Sequence, residues 1–109
     1  MPLSELERTV LATFRNRLDT ELPNEIIEVK LFGSKARGEG REESDVDVLV
    51  IVASEDWHLC DKVYNIATDL LLETGICISP KILSTSQYRR MLSEDAPFIK
   101  NVVREAVAV

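Results

Sequence analysis

The sequence predicts an α/β fold: a small β-sheet with helices packed on it. Three observations carry this. Ile27, Val29 and Leu31 alternate with charged Glu28 and Lys30, the two-residue period of a strand with one buried face. Val48 to Val52 is a continuous apolar run, as expected of a strand covered on both sides. Around these strands lie stretches with helical spacing and recognisable cap residues.

In chain order, Ser4 and Glu7 have capping-box spacing. Leu6, Val10, Phe14 and Leu18 then recur at helical intervals, with Leu3 and Leu11 beside them. A first helix over about Leu3 to Asp19 follows. Pro23 and Asn24 end the pattern, and Ile26 to Phe32 reads as the first strand. Gly33-Ser34 stops it sharply, with a short helical turn through Lys35-Ala36-Arg37. Gly38 to Ser44, with two glycines and four charges, reads as an exposed flexible loop. Val46 to Val52 is the second strand.

Ser54 is a plausible N-cap for a long helix ending near Glu73 or Thr74, with Gly75 as its stop. Two rows run along it: Trp57, Cys60, Tyr64, Ala67 and Leu71, then Leu59, Val63, Ile66 and Leu70. Both rows read as core, Trp57 and Tyr64 included. Ile76 to Leu83 is a third strand. Pro80 lacks a ladder donor, which places that strand at an edge or a bulge. Ser84 and Gln87 repeat the capping-box spacing before a short helix to about Leu92. Pro97 suits the first turn of a last helix carrying Ile99, Val102, Val103 and Ala106.

The 109 residues suit one domain, residues 1–109. Such a chain has little room for a separate substrate domain. The formal net charge of -6 argues against a general nucleic-acid surface. A local basic patch of Lys35, Arg37 and Arg41 remains. No apolar run approaches a membrane span, and the N-terminus lacks the basic-then-apolar pattern of a secretory signal. Cys60 and Cys77 are far apart and read as reduced thiols of a cytoplasmic protein. The lone His58 has no second histidine to share a metal with.

The chemistry-bearing stretch is Leu31 to Val52. Asp45 and Asp47 open the second strand. Residues i and i+2 of a strand point to one face, their Cα atoms roughly 6–7 Å apart. The two carboxylates are hard oxygen donors suited to one Mg²⁺, or to bridging toward a second. Gly33 lets backbone approach a phosphate closely, and Ser34 adds a hydroxyl beside N–H groups at a helix start. If the two strands are neighbours, phosphate turn and metal carboxylates meet at one end of the sheet. Lys35, Arg37 and Arg41 would then balance charge on a triphosphate.

Gly33-Ser34-Lys35-Ala36-Arg37-Gly38 followed by Ser44-Asp45-Val46-Asp47-Val48-Leu49-Val50 resembles the signature of minimal nucleotidyltransferases, within the DNA polymerase β-like superfamily. The resemblance implies a small mixed sheet flanked by helices. It also implies Mg²⁺-dependent transfer of AMP from ATP to a hydroxyl, releasing pyrophosphate. Gly33, Ser34, Lys35 and Arg37 would bind the nucleotide. Asp45 and Asp47 would be catalytic, holding two Mg²⁺ ions that stabilise an in-line displacement. The family's third carboxylate belongs on the strand after the long helix. Ile76 to Leu83 holds no Asp or Glu there, so Ser79 or Cys77 stands in its place.

Small members of this family resemble antitoxins whose partners are helical HEPN-domain proteins, and the partner itself is then the acceptor. Phe98, Ile99, Val102, Val103 and Val107 read mostly as core, with a partner surface as the alternative. The expectation is therefore a protein adenylyltransferase of a HEPN toxin–antitoxin pair, as a homo- or hetero-oligomer. One alternative is a weak or inactive module that neutralises the toxin by binding. Another is nucleotidyl transfer to a small molecule.

Overall fold

The computed structural model describes residues 3–38 and 45–109. Its elements run α1 (Glu5–Glu21), β1 (Ile26–Leu31), α2 (Gly33–Ala36), β2 (Val46–Val52), α3 (Trp57–Thr74), β3 (Ile78–Ser84), α4 (Thr85–Ser93), α5 (Pro97–Glu105) and β4 (Val107–Ala108). The four strands form one mixed sheet in the order β3-β2-β1-β4. β1 pairs antiparallel with β2 and with β4, and β2 pairs parallel with β3. A parallel pair needs a long crossover, which α3 supplies.

The sheet is covered on both faces, which explains the unbroken apolar run of β2. Val46, Val48, Val50 and Val52 face α1 and α3, beside Phe14, Leu18, Val63 and Leu70. Leu49 and Ile51 face the other way, against Ile99 and Val102 of α5. β3 is an edge strand, so the missing N–H of Pro80 costs no ladder bond on its open side.

Both capping boxes form: Ser4 with Glu7, and Ser84 with Gln87. Gly75 closes α3 in the left-handed region, φ 79°. Pro97 occupies the first turn of α5.

Several expectations need correction. Asp56, not Ser54, caps α3, its carboxylate accepting from His58 N–H at 2.9 Å. Neighbouring Glu55 instead accepts from Ser84 and Ser86. Ile27 is exposed, because a register shift between Ile26 and Glu28 inverts the alternation there. Trp57 is 65% exposed and Tyr64 48%, so these two lie on the outer edge of α3, while Ala67 of the same row is buried in the core. Trp57 stacks on His58, ring centroids 3.7 Å apart. The two-residue β4 follows the last helix with no sequence signal. The Gly38–Ser44 loop, Arg41 included, falls largely on residues 39–44, outside those described.

The correction that matters most for the site is at α1. Leu6 is exposed, and Glu7 takes the inward position beside Val10 and Leu11. There it meets Lys35 of α2, Nζ to Oε2 2.7 Å, with both side chains almost wholly buried. Burial alone would raise the Glu7 carboxyl. The Lys35 ammonium and the Ser4 N–H outweigh it and hold the carboxyl below its ordinary value. This pair bolts the Gly33 bend to the first helix.

Removing one member of a buried pair strands the other charge. Glu7→Gln is expected to lower unfolding free energy by about 3 kcal/mol at neutral pH. The wild-type advantage should be full above the unfolded carboxylate's pKa and fade as pH falls through the depressed folded value. Urea denaturation of both proteins across that range checks it; a pH-independent gap contradicts the linkage.

Candidate active site

Three strand ends build the site. Phe32, just beyond β1, donates its N–H to the Asp47 carbonyl at 3.0 Å, so the chain turns beside β2. Gly33 follows at φ 76°, a conformation that favours glycine. A Cβ on Gly33 would lie 2.5 Å from Asp47 Oδ2. The missing side chain is thus the space that the carboxylate occupies. The expected meeting of glycine turn and aspartate strand is present, at one end of the sheet.

Asp45 is exposed at the threshold of β2, and Asp47 is half-buried inside it. The parallel register sets Ser79 of β3 opposite Asp47. Val46 N–H donates to the Cys77 carbonyl at 2.9 Å, which brings Cys77 beside Asp45. The four residues share the sheet face that carries Leu49 and Ile51.

The charges of this cluster act on one another. Burial raises the Asp47 carboxyl above its ordinary range. The Asp45 charge adds to this, and the Arg37 guanidinium opposes it. The Cys77 thiol is pushed up by burial, by the Asp45 charge, by its hydrogen bond to Asp45 and by Asp47. Two carboxylates on one face, Asp47 raised chiefly by burial, form a pair that a hard divalent cation would relieve. Their donor set fits Mg²⁺ that draws its remaining ligands from phosphate and water. Among the described residues no three His, Cys, Asp or Glu side chains are grouped to hold a metal ion alone.

The residues of the bend separate. Gly33 and Ser34 form the first turn of α2, and Ser34 is half-buried there. Arg37 is exposed and pairs with Glu105 of α5, 3.0 Å, while its charge reaches Asp47. Lys35, read from the sequence as a nucleotide-binding cation, is 5% exposed with its ammonium 2.7 Å from Glu7.

Sequence reasoning also missed α5 as a wall of the site. Phe98 meets Phe32 edge-on, centroids 5.5 Å apart, and a cavity of about 290 Å³ opens between the bend and α5. A larger cavity of about 350 Å³ lies beside α1 and β4, lined by apolar Leu3, Leu11 and Leu31 among others, away from the aspartates.

Asp47→Asn should raise the metal-free protein's stability above the Asp47 pKa, because an ionised group with a raised folded pKa opposes folding there. Gly33→Ala should lower stability by about 1–2 kcal/mol from backbone strain alone, with the Asp47 clash in addition. Urea midpoints in a chelating buffer measure both; a destabilised Asp47→Asn contradicts the charge argument.

Comparison with known proteins agrees with this geometry. The family model for the nucleotidyltransferase domain matches residues 11–105. A Methanocaldococcus jannaschii protein named "Putative protein adenylyltransferase" is 34% identical over 99 residues, 91% of this chain and 93% of its own. A solved "putative minimal nucleotidyltransferase" superposes with TM-score 0.60 at 28% identity, covering 97% of each chain. A chain from a toxin–antitoxin crystal structure with AMP-PNP shares the fold, with TM-score 0.56 at 16% identity over 92% of this chain and 69% of that one. The mixed four-stranded sheet, the glycine bend against the aspartate strand and the family match across nearly the whole sequence agree: this chain belongs to the nucleotidyltransferase domain family.

Proposed function

We propose that this protein transfers AMP from ATP to a hydroxyl of a partner protein, with Mg²⁺. The observation that carries the reading is the approach of Gly33 to the Asp47 carboxylate, opposite Ser79. It gives one place for phosphate oxygens, metal ligands and an incoming hydroxyl.

Asp45 and Asp47 would hold Mg²⁺. When bound, the metal supplies charge neutralisation at the phosphates and lowers the pKa of coordinated oxygens. Gly33 exposes backbone to the phosphates, and Ser34 offers a hydroxyl at the same turn. Arg37 faces the same region with its guanidinium steadied by Glu105. Lys35 acts through the bend, which its buried pair with Glu7 fixes. The acceptor oxygen forms a bond to the α-phosphorus, the bond to pyrophosphate breaks, and the hydroxyl proton leaves. Positioning and electrostatics dominate such a transfer.

The acceptor is assigned to a toxin of the helical HEPN class, and the protein to the antitoxin role in the cytoplasm. Support comes from the protein adenylyltransferase relative and from the fold shared with a toxin–antitoxin chain. Among the described residues no helix is long and apolar enough to cross a membrane. A second reading, a module that neutralises its partner by binding alone, is favoured by one observation: β3 offers Ser79 where a carboxylate would complete the site.

Incubation with labelled ATP, Mg²⁺ and the protein encoded by the neighbouring gene tests these readings. Mass gain in AMP units on that protein, lost in Asp45→Asn and Asp47→Asn, is expected. Ser79→Asp, which restores a third carboxylate beside Asp47, should raise the rate. A tight complex with no AMP transfer at any concentration would leave the binding reading standing.

A further inference from the structure

The exposed apolar residues of α3 are not scattered. Trp57, Tyr64 and Leu71 stand seven positions apart, with half-buried Cys60 between the first two. That spacing makes one stripe along a helix. All three are exposed, and Leu72 beside them is 80% exposed. Glu73, on the α1 side of the helix, bonds Arg17. The stripe lies roughly half a turn away from Glu73. It therefore runs along the flank over β3, whose Ile82 packs on the same core as α3. Trp57 is fixed in advance, because its ring stacks on His58 and His58 is hydrogen-bonded to Asp56. Aromatic anchors of this kind dominate the binding energy of protein interfaces.

Shape and charge say what covers this stripe. β3 is the edge of the sheet, but Pro80 lacks the N–H that an added strand would use. An apolar repeat of seven residues suits a helix instead. Asp61 borders the stripe within one turn of both Trp57 and Tyr64, and Asp56 stands at its N-terminal end. Both acids are exposed. The last turn of α3 has no basic residue, so its own side chains leave the negative end of the helix dipole unbalanced. A second copy of this chain, docked antiparallel, would set this acidic flank against itself. A basic helix meets it with opposite charge.

We propose that the α3 stripe is where a helix of the partner protein docks, apolar along one side and basic along its border. The assignment rests on the partner-acceptor reading above and adds the surface to it. The placement also serves the chemistry. α3 crosses back between parallel β2 and β3, so Leu71 and Leu72 lie at the end of the sheet that holds Asp45 and Cys77. Among the described residues no strand lies outside β3. A partner anchored on α3 therefore has a path round β3 to Ser79 and Asp47 on the other face.

Calorimetry against the protein encoded by the neighbouring gene, with ATP binding measured separately, tests the surface. Trp57→Ala and Leu72→Ser, both at exposed positions, should each weaken partner binding about tenfold or more. Asp61→Lys should weaken it about three- to tenfold, with a smaller loss at high salt. None of the three should change ATP affinity. Benzoylphenylalanine placed at position 72 should crosslink to a helical, Lys- or Arg-bearing segment of the partner. Unchanged partner affinity in both Trp57→Ala and Leu72→Ser overturns the surface and leaves the partner reading standing. A matching loss of ATP affinity, a crosslink to an acidic or extended segment, or a wild-type dimer that Trp57→Ala dissolves also overturns it. If the wild-type protein does not bind the neighbouring gene's product at all, the partner reading fails and the surface falls with it.

Discussion

The architecture turns on the space between Gly33 and the Asp47 carboxylate. Any side chain at position 33 would collide with that carboxylate, and φ 76° discourages one independently. Two strands that merely paired would not demand this. The demand comes from putting an acidic group and a bare stretch of backbone within one hydration layer of each other. Phe32 N–H on the Asp47 carbonyl holds the approach in register, and the parallel partner β3 completes it from the other side. The site is thus a property of strand order: β2 lies between β1 and β3, so everything Asp47 needs is one strand away.

That arrangement concentrates charge of both signs, and the fold manages it unequally. The Glu7–Lys35 pair is sealed, with neither side chain more than 6% exposed, and it serves as a fastener. Arg37–Glu105 is partly open to solvent. A surface pair of that kind contributes little stability. Its value lies in holding a cation within reach of an acidic cluster without neutralising that cluster. Asp47 remains under stress from burial and from Asp45, and that stress favours taking up a cation.

The strands and most helix bounds were legible because their signals are local. Alternation in β1, the apolar run of β2, Pro80 at an edge and two capping boxes each act within a few residues. The failures came from interactions between distant residues. Leu6 and Glu7 are both within the helical stripe, and only the presence of Lys35 twenty-eight positions later decides which turns inward. Trp57 and Tyr64 fit a core row by spacing, yet the sheet is fully occupied by the adjacent row of Leu59, Val63, Ile66 and Leu70. β4 has two residues and exists because the β1 edge needs a partner. At the site, spacing suggested that Gly33 and Asp47 would meet, and the fold brings them together. The place of Phe98, Asn101 and Glu105 beside the bend was not legible, since only the packing of α5 brings them there.

The absence of a carboxylate on β3 bears on the choice of acceptor. A site with a third carboxylate can draw a proton from an alkyl alcohol as the new bond forms. Ser79 is a poor base, and burial together with the Asp45 charge pushes the Cys77 thiol up, away from the thiolate. Such a site suits an acceptor that gives up its proton readily. A phenol, with a pKa of about 10, is a far stronger acid than an alkyl hydroxyl, and nearby cationic charge lowers it further. On the proposed reading, two aspartates with Mg²⁺ therefore suit a tyrosine better than a sugar or serine hydroxyl. This weighs against small-molecule acceptors and toward a protein side chain. A tyrosine on a folded partner also arrives with its own positioning surface.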